Sequence, residues 1–180
     1  EQNIEDITLS RLGDCGYQVY KSASYTGPSS MIDADRNNDH TQVLLKNRLE
    51  SALRKINPGY DDEVYKNAVH QFERLAESPD MMLNNHKLHQ LIIGGAKVKT
   101  SFKGESRTLT LYPIDFDNVG NNEFVATNQF TVKQGEHVRR PDITLFINGL
   151  PLVTFELKNP TNANVGIQQA FPQLETYKTE

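Results

Sequence analysis

Ile4, Ile7, Leu9 and Leu12 fall at helical spacing, and Gly13 or Gly16 ends the helix they outline. Tyr17-Gln18-Val19-Tyr20 then starts a strand. Over residues 22–40 the pattern lapses into Ser, Asp and Asn, which predicts a mobile loop. Helical spacing resumes with Val43, Leu45, Leu49, Leu53 and Ile56, entered by Asp39 or Thr41 and stopped by Asn57-Pro58-Gly59. A second helix carries Val64, Ala68, Phe72 and Leu75 and stops at Ser78-Pro79. A shorter third runs through Leu88, Leu91 and Ile92 to Gly94-Gly95. These three read as a helical insertion, residues 37–94, beside a sheet.

Strands are predicted over residues 96–103 and 107–112, turned at Gly104-Glu105, and again over residues 123–132. Residues 115–122 form the intervening loop, and Gln134-Gly135-Glu136 turns the chain toward a final pair of strands. A last helix covers residues 163–178, with Gln173 and Tyr177 four apart on one face. The fold class is α/β: one domain over residues 1–180, with a mixed central sheet flanked by helices and the final hairpin at its centre.

That hairpin carries the chemistry. Two apolar runs flank Asn148-Gly149, a strong hairpin signal. Asp142 opens the first strand, and Glu156 and Lys158 close the second on a shared face, with Leu157 turned to the other. A carboxylate from each strand plus an ammonium suits metal-assisted phosphodiester hydrolysis, in which hard oxygens hold Mg²⁺ and the lysine stabilises charge or helps activate water. An ordinary Glu–Lys pair on an exposed strand fits the ExK spacing as well. Register decides whether Asp142 joins the other two. A regular two-residue turn sends Asp142 and Glu156 to opposite faces, so the metal site demands an odd loop or a β-bulge. One candidate is a three-residue loop, Ile147-Asn148-Gly149, with a G1 bulge setting Asp142 opposite Thr154 and Pro151 at an unpaired position.

Pro141-Asp142 followed by Glu156-x-Lys158 resembles the PD-(D/E)xK nuclease signature. The wider string resembles the nuclease domain of the R (restriction and motor) subunit of type I restriction–modification enzymes. The matching residues are Asn128-Gln129-Phe130-Thr131-Val132, Arg139-Arg140-Pro141-Asp142-Ile143, Asn148-Gly149-Leu150-Pro151-Leu152, Glu156-Leu157-Lys158-Asn159-Pro160, and Ala170-Phe171 with Gln173-Leu174 and Thr176-Tyr177-Lys178. The resemblance implies a restriction-endonuclease-like fold and Mg²⁺-dependent cleavage of double-stranded DNA. It makes Asp142, Glu156 and the Leu157 carbonyl metal ligands, and Lys158 the third catalytic residue. In such nucleases an N-terminal helix often adds an acidic ligand. Glu5 is the candidate here, with Glu1 and Asp6 behind it, and a first-turn glutamate favoured by the helix dipole is the alternative. Gln173 and Tyr177 match a Gln-x-x-x-Tyr helix that positions DNA or the site, although a surface Gln and a half-buried Tyr would look the same. Arg139, Arg140, Lys133 and Lys178 are candidate phosphate contacts. The family also implies modification and specificity subunits as partners and an ATP-driven translocase further along a longer chain. Two other readings are a non-catalytic docking module of this fold and a DNA-repair nuclease of the same superfamily.

Composition narrows this further. The 180 residues are 37% hydrophobic, and no apolar run approaches the ~18 residues of a membrane span. Cys15 is the only cysteine, which excludes an internal disulfide and points to a reducing cytoplasm. A net charge of −4 counts against tight DNA binding by this piece alone, since phosphate neutralisation dominates such affinity. The chain starts at Glu rather than Met and stops inside a helical pattern, as a piece of something longer would. Asp115 and Asp117 read as turn residues, and His86 and His89 as helix-surface residues rather than a zinc pair. No Walker A sequence is present, so ATP chemistry is not expected here.

Overall fold

A computed structural model describes residues 2–21, 31–77, 80–102 and 104–158, together with Pro172 and Glu175. The chain forms two compact units, one of residues 1–45 and 124–180 and the other of residues 46–123. The first is built on a four-stranded mixed sheet ordered β1-β4-β7-β8. Its strands are β1 (Gln18–Tyr20), β4 (Phe124–Asn128), β7 (Ile143–Ile147) and β8 (Leu150–Phe155). β1 runs parallel to β4, and the other pairings are antiparallel.

Alternation along these strands divides the core in two. Ala126, Ile143 and Leu145 face Leu9 of α1 (Gln2–Asp14). Val125 and Phe146 face the other way, onto Ile32, Leu45 and Phe130. A strand buried on both faces reads as a continuous apolar run, as Ile143-Thr144-Leu145-Phe146-Ile147 does.

The polar stretch before residue 40 departs from the expected mobile loop. Residues 22–30 lie outside the described residues, but Met31–Ala34 forms the short helix α2 and plants Ile32 in the core. Asp33 and Arg36 are buried beside it as an ion pair. A carboxylate and a guanidinium that satisfy one another can go inside, and composition alone does not reveal that pairing.

In the second unit, α3 (Lys46–Ile56) packs on α4 (Asp62–Glu73), and α4 packs on the hairpin of β2 (Ala96–Phe102) and β3 (Glu105–Leu111). α3 starts later than the pattern suggested. Leu45 belongs to the first unit's core, and its N–H donates to the Gly149 carbonyl, so one apolar run serves two cores. Asp39 closes a turn with Thr41 and Gln42 instead of capping the helix. The third helix, α5 (Met81–Gly94), has 14 residues and is longer than its neighbours. Its N-cap is Asp80, which accepts the Leu83 N–H and begins the helix well ahead of its apolar periodicity. The strand expected over residues 123–132 is broken: β4 ends at Asn128, and β5 (Val132–Gln134) pairs with β6 (His137–Arg139) as a separate ribbon.

Candidate active site

The hairpin turn is Asn148-Gly149, with both residues in the left-handed region at φ 52° and 79°. This is the two-residue geometry that Asn-Gly favours. Pairing leaves it as Ile147 with Leu150 and Phe146 with Pro151, a register that would separate Asp142 from Glu156. Between Leu145 and Phe146 the register shifts, and Leu145 pairs with Val153, so Leu152 is an extra residue on β8. Beyond this β-bulge Ile143 pairs with Phe155, and one residue further out Asp142 stands across from Glu156. The required bulge is therefore present, but the three-residue loop is not, and Asp142 faces Glu156 rather than Thr154. Pro151, expected at the unpaired position, instead pairs with Phe146, and its neighbour Leu152 is the unpaired residue. Proline has no N–H to give a regular ladder, so the interruption beside it forfeits little.

Phe155 and Leu157 pack into the cluster formed with α1, which turns Glu156 and Lys158 to the opposite side. The Lys158 ammonium lies 3.0 Å from Glu156 Oε1, with side chains 22% and 4% exposed. The Leu157 N–H donates to Asp142 Oδ2 at 2.5 Å. The hairpin thus gathers Asp142, Glu156, Leu157 and Lys158 at one end of the sheet. Burial, followed by the charges of Glu156 and Glu5, holds the Asp142 carboxyl above its usual range. The Leu157 N–H and the Lys158 ammonium pull the other way.

Glu5 comes from α1, one turn before Leu9, and is 2% exposed. A merely dipole-favoured glutamate would sit in solvent. Glu5 instead accepts the side-chain amides of Gln129 at 3.0 Å and Asn128 at 3.3 Å. Asp6 is engaged with Lys21 at the surface, and Glu1 lies outside the described residues. Arg140 is exposed two residues before Asp142, while Arg139 is partly buried and donates to the Val138 carbonyl. Lys133 is exposed on β5. Gln173, Tyr177 and Lys178, with most of the helix expected over residues 163–178, lie outside the described residues.

Asn128 and Gln129 carry part of the family resemblance, but nothing in the sequence assigns them a role at the site. The available signal was a pair of amides interrupting an otherwise apolar strand. Asp115 is a loop residue as expected, accepting from Asn121, Asn118 and Asp117, and these bonds hold it below the usual carboxyl range. His86 is bonded to Gln90 on the exposed side of α5.

Among the described residues no three His, Cys, Asp or Glu side chains group as tightly as an all-protein metal cage requires. Two facing carboxylates match Mg²⁺ better than such a cage would. That ion keeps several waters and is held by one or two carboxylates plus substrate phosphates.

Comparison with known proteins bears on what this arrangement is. The family model described as type I restriction enzyme R protein N terminus matches residues 1–180. The chain is 33% identical over 181 residues to the type I restriction enzyme HindI endonuclease subunit of Haemophilus influenzae, covering all of this chain and 17% of that protein. A provisionally named type I restriction enzyme MjaIXP endonuclease subunit of Methanocaldococcus jannaschii is 32% identical over 180 residues, covering 96% of this chain and 16% of that protein. The type I restriction enzyme EcoprrI endonuclease subunit of Escherichia coli is 37% identical over 76 residues, which is 42% of this chain and 23% of the relative. The chain spans about one sixth of the length of the first two relatives. With a model matched from end to end and a relative one third identical along the whole chain, this chain belongs to the family of type I restriction enzyme R protein N-terminal regions.

Proposed function

We propose that this chain is the nuclease region of a type I restriction enzyme R subunit, with a restriction-endonuclease-like fold, and cleaves double-stranded DNA with Mg²⁺. The observation that carries this is the Leu152 bulge, which brings Asp142 across from Glu156 with Lys158 beside them. A hairpin without function has no need of a register shift that collects two carboxylates and an ammonium at one end.

Asp142 and Glu156 would hold the ion, with the Leu157 carbonyl as a further oxygen and Glu5 beyond them. Bound there, the ion would supply Lewis-acid polarisation of the scissile phosphate. The Leu157 N–H fixes the Asp142 carboxylate in place, so it need not be ordered when the ion arrives. Glu156 holds the Lys158 ammonium, which is partly exposed and can donate to a phosphate oxygen as negative charge builds there. Arg140, exposed two residues before Asp142, would meet the DNA backbone. The raised Asp142 pKa predicts that cation binding weakens on acidification, because the ion needs the ionised carboxylate.

The relatives are named as endonuclease subunits, and the remaining five sixths of a chain of their length would hold the translocase and the contacts to modification and specificity subunits. In the complete enzyme, Asp142→Ala, Glu156→Ala or Lys158→Ala should each abolish DNA cleavage while ATP hydrolysis persists. Cleavage at the wild-type rate by Asp142→Ala would sink the proposal.

A further inference from the structure

We propose that Asn128 and Gln129 are positioning residues of the cation site, tying the Glu5 carboxylate and the Asp142 main chain into one unit. The proposal rests on the cation-site reading above. Gln129 is the first residue past the β4–β7 ladder, whose last pair is Asn128 with Ile143. Its backbone is left-handed at φ 55°, a conformation unfavourable for glutamine. Held there, it reaches in two directions. Its N–H donates to the Asp142 carbonyl at 3.0 Å, and its side-chain amide donates to Glu5 Oε1 at 3.0 Å. Asn128 donates to the other oxygen, Glu5 Oε2.

The next residue keeps the bend in place. Phe130 is 2% exposed, lies against Phe146 with ring centres 5.0 Å apart, and has the Arg36 guanidinium 3.9 Å above it. The choice of amides has a consequence. A buried carboxylate must have donors, and a lysine or arginine in these positions would cancel its charge. Neutral amides satisfy the oxygens and leave the charge standing. An uncancelled carboxylate tied through Gln129 to the Asp142 main chain favours a divalent cation there.

Partners that orient a metal site typically change affinity by about 10- to 100-fold when removed. Mn²⁺ binding to this chain, followed by titration calorimetry without DNA, should weaken at least about 10-fold in Gln129→Met and in Asn128→Leu. Gln129→Gly keeps the left-handed backbone and the N–H but loses the amide, and should weaken comparably. Adding Gln129→Gly to Glu5→Gln should cost nothing more, since the amide would have lost its charged partner. Wild-type affinity in Gln129→Gly would overturn the role. If Asp142→Asn removes Mn²⁺ binding while Gln129→Gly does not, the cation site stands and only the positioning claim falls. If Mn²⁺ does not bind the wild-type chain, both fall.

A different observation carries a second inference, within the unit of residues 46–123. We infer that the face formed by α5 and the exposed side of β2 docks the phosphate backbone of duplex DNA, a claim that deepens the proposed function. A cleft of about 920 Å³ there is lined by Arg74, Lys87, His89 and Lys97 and by no acidic residue. Lys99 lies two residues along the same strand face as Lys97, and their cross-strand partners are Thr108 and Thr110. Lys87, Lys97 and Lys99 are exposed and have no carboxylate partner among the described residues. In a chain of net charge −4, such a segregated face favours a polyanion.

Each phosphate contact adds about 0.9 to the slope of log affinity against log salt. The triple charge reversal Lys87→Glu, Lys97→Glu, Lys99→Glu should lower that slope for a 30-base-pair duplex by roughly 2 to 3. Asp142→Asn should leave it unchanged while ending cleavage, which separates docking from chemistry. An unaltered slope in the triple variant would overturn the inference and leave the face to an acidic protein partner.

Discussion

Arg36 and Arg54 have the same kinds of partner in two different settings. Each meets a carboxylate and lies over an aromatic ring: Arg36 with Asp33 and Phe130, Arg54 with Glu50, Asp62 and Tyr65. Arg36 is 1% exposed in the first unit, and burial drives its pKa down against the pull of Asp33. Arg54 has a side chain 36% exposed in the second unit, and its bond to Glu50, followed by that to Asp62, drives its pKa up. The contrast extends beyond this pair. Among the described residues, the buried polar and charged side chains Glu5, Asp33, Arg36, Thr127, Thr144 and Asn148 all belong to the first unit. Among the described residues, the second unit buries no charged side chain; its core is Leu49, Leu53, Val64, Phe72 and their neighbours, with Tyr65 bringing in a hydroxyl bonded to the Asn57 carbonyl. Buried charge is costly to keep, and in this chain the unit that bears that cost is the one holding the proposed site.

The largest test of this contrast is Arg36→Met beside Arg54→Met. Removing Arg36 takes the buried guanidinium away from the buried Asp33 carboxylate and should destabilise the chain by about 3–5 kcal/mol in urea unfolding. Arg54→Met should leave the transition where it is, because water replaces what its carboxylates lose. Equal losses from the two substitutions would break the contrast.

A second test concerns Asp142. Its folded pKa is raised, so its favourable contribution is full below the ordinary carboxyl range and is lost as pH rises through the folded value. At neutral pH without divalent cation, the ionised group therefore opposes folding. Asp142→Asn should melt a few degrees above wild type at pH 7, and the gain should shrink on acidification. Added Mn²⁺ should stabilise only the wild type. A gain that grows toward acid pH would contradict the sign of the shift.

The smallest effect is expected at Thr144, on β7 two residues after Asp142. Its hydroxyl is buried with no hydrogen-bond partner among the described residues. Thr144→Val keeps the shape and removes the stranded oxygen, and should stabilise by about 1 kcal/mol. A loss of similar size would show that the hydroxyl is satisfied in solution.

Much of this molecule is legible in its sequence because local rules decide it. Helical spacing at Leu49, Leu53, Val64, Ala68 and Phe72 suffices for α3 and α4, whose buried faces are apolar throughout. Asn148-Gly149 suffices for the turn, since only residues that tolerate positive φ fit there. The spacing of Glu156 and Lys158 suffices to place them on one side of a strand. Where long-range partners decide, the sequence is silent. The stretch around Asp33 and Arg36 looks solvated until the two are seen to neutralise each other in the core. Neither Gln129's left-handed backbone nor its reach to Glu5, 124 residues earlier, leaves a periodic trace. The register of the hairpin stood between these cases. Counting residues shows that Asp142 and Glu156 can meet only across an irregularity, and the tertiary structure puts it at Leu152, beside a proline with no N–H to donate.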